Sequence, residues 1–147
     1  MGTEDEVRAA SEQFYLALNS ILDGDFEPMN EIWSHSPKAT EMGPAGGVRT
    51  GWNSIREELE AVSEMKIGGH LQAEDLQVHA DDDFGLSVCT ETGEINDAGG
   101  HPISIKYRAT NVFVREEGAW KLLHRHADLE PALQTDFERR LHSISAE

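Results

Sequence analysis

The chain has 147 residues, with 12 basic and 28 acidic side chains and a formal charge of −16. A length of this order is one domain, able to bury roughly two-thirds of its unfolded surface without staples. The charge repels phosphate backbones and anionic lipid, which excludes nucleic acid and membrane surfaces as expected partners. The single cysteine, Cys89, has no internal disulfide partner, so a reducing cytoplasm is the expected compartment. An acidic start and the absence of an apolar run near ~18 residues predict neither secretory signal nor membrane span.

Ala10, Phe14, Ala17, Leu18 and Ile21 fall at helical spacing behind a Thr3/Glu6 capping box, and Asp23-Gly24-Asp25 ends that helix near Leu22. Asp25 caps a short second helix through Phe26, Met29, Ile32 and Trp33. Pro and Gly then dominate up to Gly51, interrupted by a possible brief strand over Lys38 to Met42. A third helix carries Trp52, Ile55, Leu59 and Val62 on one stripe and ends before Gly68-Gly69.

From there the period becomes alternating. His70 to Ala80, Phe84 to Ile95, Ile103 to Arg115 and Ala119 to Leu129 read as an antiparallel meander joined by turns rich in Asp, Gly and Asn. Leu71/Ala73 and Leu76/Val78/Ala80 have opposite parity, which predicts a bulge or a change of face near Glu74-Asp75. Pro131 opens a final helical pattern through Leu133, Phe137 and Leu141. The fold class is α+β, one domain over residues 1–147: a curved antiparallel sheet wrapped around N-terminal helices, with a C-terminal helix.

On the last strand Trp120, Leu122, His124, His126 and Asp128 share a parity, and the two apolar members mark it as the buried face. If Gly118 takes the left-handed position of the turn, Ala119 pairs with Arg115, Thr110 with His124 and Arg108 with His126. A slip of one residue would substitute Tyr107 and Asn111 for Arg108 and Thr110, so both pairs stay open. In the functional reading Asp128 pairs with His126 and fixes its tautomer, His124 assists, and Arg108 faces a ligand oxygen, a constellation for acid-base chemistry. In the structural reading the histidines are satisfied core groups and Asp128 caps the terminal helix or pairs with Arg125. Trp33, Met42, Trp52 and Trp120 complete the expected ligand-lining set as apolar wall. No metal is expected, because His124-x-His126 lacks further ligands at motif spacing, and no cofactor is expected either.

The stretch from Tyr107 to Asp128, with its Thr110 strand, Gly118 turn, Trp120 and His124-x-His126, resembles the final hairpin of SnoaL-like proteins in the nuclear-transport-factor-two-like superfamily. It is also similar to the calcium/calmodulin-dependent kinase association domain, and Gly43-Pro44 followed by Gly51-Trp52 resembles the same families before the third helix. The resemblance implies a cone-shaped, cystatin-like fold with an internal cavity and a homodimer formed through the outer sheet face, where Val114, Leu123 and part of Ile105 would be exposed. It implies no single reaction, since isomerases, cyclases, dehydratases and hydrolases share the fold with proteins that only bind or assemble. Aligned with ketosteroid isomerases, the position of their base falls at Gly43, and Tyr15 is out of register with their phenol. Glu41 is the nearest carboxylate, with either face open to it. The expected function is binding of a small, partly apolar molecule in the cavity, with acid-base chemistry of isomerase, lyase or hydrolase type; the alternative is an oligomerisation domain.

Overall fold

The chain opens on α1 (Thr3–Leu22), whose Val7, Phe14, Ala17 and Ile21 are buried on one stripe. The helix starts earlier than a Thr3 cap would allow: Thr3 is already helical, and the Asp5 carboxylate accepts from the Gly2 amide at 3.4 Å. It ends where Gly24 adopts φ +94°, a conformation glycine takes without steric penalty. Asp25 accepts from the Glu27 amide at 3.1 Å and so starts α2 (Glu27–Ile32). Then come β1 (Thr40–Met42), β2 (Arg49–Thr50) and α3 (Trp52–Glu64). The meander follows as β3 (Gly69–Ala80), β4 (Phe84–Asn96), β5 (Pro102–Glu116) and β6 (Ala119–Leu129). This computed structural model describes residues 2–130, and the helix expected beyond Pro131 lies outside them.

The six strands form one sheet in the order β2-β1-β6-β5-β4-β3. All neighbours are antiparallel except β1 and β6, which run parallel and add a short flank that the alternating pattern only hinted at. Among the described residues the sheet does not close, because β2 and β3 are its two edges. α1 lies across the inner face, and its Val7 methyl would sit 2.6 Å from a Cβ at position 85, so only glycine allows that approach.

Two register shifts shape the sheet. The first lies between Glu74 and Gln77, with Asp75 at φ +55°, and turns both Leu71/Ala73 and Leu76/Val78/Ala80 inward as their opposed parity requires. The second lies opposite Val112/Phe113, where Leu123 is an extra residue on β6. Glu117 at φ +51° and Gly118 at φ +81° make a two-residue primed turn, so Ala119 pairs with Glu116 and not with Arg115. Turn and bulge together move the register by two residues from the expected one. Thr110 lies opposite His126, and Arg108 opposite Asp128.

Candidate functional site

The bulge at Leu123 decides which side chains face the helices. Before it, Leu122 points inward; after it, the inward set is Arg125 and Ala127. His124, His126 and Asp128 therefore lie on the outer face, which corrects their expected place in the cavity. Arg108 and Thr110 share that outer face, whereas Tyr107 and Asn111 face the helices. The expected polar patch does assemble, but outside. Arg108 Nε and Nη2 donate to Asp128 Oδ1 and Oδ2 at 2.8 and 2.9 Å, and His126 Nε2 is 3.8 Å from Asp128 Oδ2. The Arg108 hydrogen bonds hold the Asp128 carboxyl below the usual range. His124 Nδ1 is 2.7 Å from the Thr40 hydroxyl, and burial, then the neighbouring His126, pushes its imidazole down. The patch borders an open groove of about 460 Å³ that Asp75 and Gln77 also line. With side chains 40% to 59% exposed, these pairs are screened by solvent.

Inside, the sheet builds a different constellation. Asn111, Arg125 and Glu41 stand in one row across β5, β6 and β1, while Glu91 and Tyr107 stand in a row four residues along, on β4 and β5. The row between them holds Cys89, Ala109 and Ala127, all small and buried, which leaves room for the Arg125 side chain to cross. Arg125 Nη1 and Nη2 donate to Glu91 Oε2 and Oε1 at 2.6 and 2.8 Å, and Nη1 also reaches Asn111 Oδ1 at 3.4 Å. The guanidinium lies 4.8 Å from the centre of the Phe14 ring. From α1 the Tyr15 hydroxyl donates to Glu91 Oε2 at 2.7 Å and sits 3.0 Å from the Cys89 sulfur. Burial alone would raise the Glu91 carboxyl, but the Arg125 charge and hydrogen bonds, with that of Tyr15, hold it below the usual range. Burial, then the Glu91 charge, drives the Tyr15 phenol upward, so it stays protonated.

Glu41 is the remaining inward carboxylate of the row. β1 turns it to the inner face while Thr40 and Met42 turn outward with His124 and His126, so Met42 does not line the cavity as expected. Among the described residues its buried Oε1 has no hydrogen-bond partner; Arg49 Nη1 is 3.9 Å away, and that guanidinium also donates from Nη2 to Glu58 at 2.9 Å. Burial pushes the Glu41 carboxyl up, against the opposing charges of Arg125 and Arg49. A Cβ at position 43 would come 3.1 Å from Glu41 Oε2, so Gly43 leaves space for the carboxyl beside the loop.

Glu41, Arg125 and Tyr107 border a cavity of about 270 Å³ between the inner face, α1 and α3, whose walls are otherwise mostly apolar, among them Phe14, Met29 and Leu59. Trp33 lines it too, with a buried indole nitrogen that has no partner. Trp52 does not: it is buried against Phe26 and stacks on the His35 ring at 4.6 Å. Trp120 lies under the Arg115 guanidinium at 4.5 Å and borders a surface groove with Ala10 and Phe113. Among the inner polar groups, Arg125 is permanently charged and Glu91 is locked to it. Glu41 is the inner carboxylate that burial raises and that keeps an oxygen without a hydrogen bond among the described residues.

Tyr15, Glu91 and Arg125 were missed as a unit by sequence reasoning, because each sits on a different element and none belongs to a motif. The available signal was the apolar pair Leu122-Leu123, which marks a change of parity in the same way as the split pattern of β3.

The profile of the SnoaL-like domain family matches residues 7–128. No curated protein is detectably similar in sequence. Among solved structures, a candidate dehydratase of the NTF2-like family from Streptomyces avermitilis is 25% identical with a TM-score of 0.73, the match covering 88% of this chain and 96% of that one. An NTF2-like superfamily protein from Salmonella enterica is 15% identical with a TM-score of 0.75, covering 87% and 91%. The association domain of C. elegans CaMKII is 20% identical with a TM-score of 0.62, covering 84% and 92%.

Proposed function

The chain belongs to the SnoaL-like domain family, and we propose that it binds a small, partly apolar molecule in the cavity between the sheet and the helices, with Glu41 as the group able to perform acid-base chemistry on it. The observation that carries this reading is the Glu41 carboxyl: buried, with one oxygen lacking a hydrogen bond among the described residues, at the edge of a partly open and mostly apolar space. Leaving such a group unsatisfied in the interior costs about 1–3 kcal/mol, and a ligand that hydrogen-bonds to it removes that penalty. Trp33, Tyr107 and Asn111 belong to the same reading as wall and support. A proton shuttled by Glu41 suits an isomerase, lyase or hydrolase step. A lone buried thiol, Cys89, suits a reducing compartment such as the cytoplasm.

The same reading includes a homodimer formed through the outer sheet face. What supports it is the apolar run Phe84, Leu86 and Val88 on β4 beside Val112 and Val114 on β5, with Phe84 56% and Val88 40% exposed. Val114 and Leu123 are half-buried, and Ile105 has the parity of the inner face, so Phe84 and Val88 replace them as the main exposed contacts. This surface also supports a second function, assembly without a ligand. Calorimetry with a broad panel of metabolites separates the two. Binding that disappears in the cavity-filling variant Leu59→Trp supports the ligand reading, and a panel without any binder, on an intact oligomer, refutes it in favour of assembly.

A further inference from the structure

Each charged side chain lining the cavity has an opposite charge beside it, but one carboxylate oxygen lacks a hydrogen bond. Arg125 is held by both oxygens of Glu91 and by Asn111, so its cation is not free for an incoming anion. Arg49 is engaged by Glu58. Among the described residues the buried Glu41 Oε1 has no hydrogen-bond partner, only the Arg49 guanidinium 3.9 Å away, and Trp33, 1% exposed, has an unpartnered indole N–H; both residues line the same space. Two residues in the wall of one mostly apolar cavity thus carry a buried acceptor and a buried donor without hydrogen bonds, which asks for complementary groups on its occupant.

We infer that the cavity selects an uncharged, compact alicyclic or aromatic molecule carrying a hydroxyl that donates to Glu41 and an oxygen that accepts from Trp33. This rests on the reading that the cavity is a binding site. An anion would enter beside Glu41 and Glu58 with no unpaired cation to receive it. An ammonium would meet Glu41, but next to the guanidinium groups of Arg49 and Arg125, whose charges both act on that carboxyl. A neutral hydroxyl completes the hydrogen bonding without moving a charge out of water. At about 270 Å³ the space lies at or just below the lower end of the range for small-molecule sites, which fits a single ring with a short polar arm.

Four probes of nearly equal shape test the charge class in the full-length protein: cyclohexyl methyl ketone, the corresponding secondary alcohol, the corresponding primary amine, and cyclohexanecarboxylate. Titration calorimetry at neutral pH should give the alcohol the highest affinity, with amine and carboxylate at least about tenfold weaker, the scale of one hydrogen bond lost or one charge desolvated. Glu41→Gln, which keeps shape, should reduce the preference for alcohol over ketone. Trp33→Phe, which keeps the ring and removes the N–H, should weaken alcohol and ketone alike by about tenfold. Stronger binding of amine or carboxylate than of the alcohol overturns the neutral-ligand inference and leaves the cavity as a binding site. An alcohol preference untouched by Glu41→Gln overturns the role of Glu41. If none of the four binds while a larger metabolite does so in a manner sensitive to Leu59→Trp, the cavity reading survives and this ligand class falls; if nothing binds, both fall.

Discussion

Replacing Arg125 by Met keeps an unbranched, apolar stem and removes the guanidinium with its charge. Glu91, fully buried, would lose both guanidinium contacts and keep one hydrogen bond, from Tyr15. Asn111, also fully buried, would lose its partner. Breaking a buried pair from one side typically destabilises by about 3–5 kcal/mol, because the remaining charge is uncompensated. For a domain whose total stability is of order 5–15 kcal/mol, that is a large fraction. Urea unfolding followed by circular dichroism should show the midpoint fall by that equivalent with little change in slope. The triple variant Y15F/E91L/R125M removes the network together and should be more stable than R125M alone, although Asn111 keeps it below wild type. The pH dependence has a definite sign. In wild type the Glu91 carboxyl is depressed, so its contribution is present above the ordinary carboxylate range and is lost as pH falls through the folded value. In R125M burial acts unopposed by that cation and the carboxyl rises, so acidification from neutrality should stabilise the variant. A loss under about 1 kcal/mol, or an R125M stability that falls on acidification as in wild type, would refute the argument that one buried ion pair organises this face.

Glu41→Gln should show the opposite behaviour: because burial raises the Glu41 carboxyl, wild-type stability declines as pH climbs from the ordinary carboxylate range toward neutrality. The variant's advantage in chemical denaturation should thus be largest near neutral pH and vanish in acid; a pH-independent difference contradicts it. Gly85→Ala sets a Cβ 2.6 Å from the Val7 methyl, so thermal unfolding should register about 1–3 kcal/mol of destabilisation, partly relieved in the V7A/G85A pair; additive losses would mean that α1 does not bear on β4 there. Val88→Asp on the outer face should convert a dimer into a monomer by light scattering, and a monomeric wild type at micromolar concentration removes the dimer altogether. Asp128→Asn breaks a solvent-screened pair, so the change should stay within about 1 kcal/mol and leave cavity binding intact; loss of ligand binding in this variant would move the site to the outer groove.

The order of elements was legible because each long segment keeps a single period over several turns or residues, and the helices end at punctuation that glycine and aspartate supply. Helix α1 stops at Gly24 and the meander turns lie where Asp, Gly and Asn cluster. Even the β3 bulge could be read, since both halves of its pattern are apolar and both must be buried. Strand β2 could not, because two residues carry no period.

The site was less legible, for a reason specific to β6. After the bulge at Leu123 its two parities are Arg125, Ala127, Leu129 and His124, His126, Asp128. Continuity with Trp120 and Leu122 favours the second set as the inner one, whereas hydrophobicity favours the first, since two of its three members are apolar and arginine can bury its aliphatic stem. A single inserted residue reverses every side chain that follows. The reversal exchanges a titratable histidine pair for a permanently charged arginine, and that changes the chemistry available in the cavity. With Arg125 inside, a carboxylate on β4 can neutralise it across the small Cys89/Ala109/Ala127 row, and Glu91 has the parity to supply it. Once that pair is closed, Glu41 is left as the inner carboxylate without a full partner, so the same bulge that moves the histidines outward makes Glu41 the acid-base candidate.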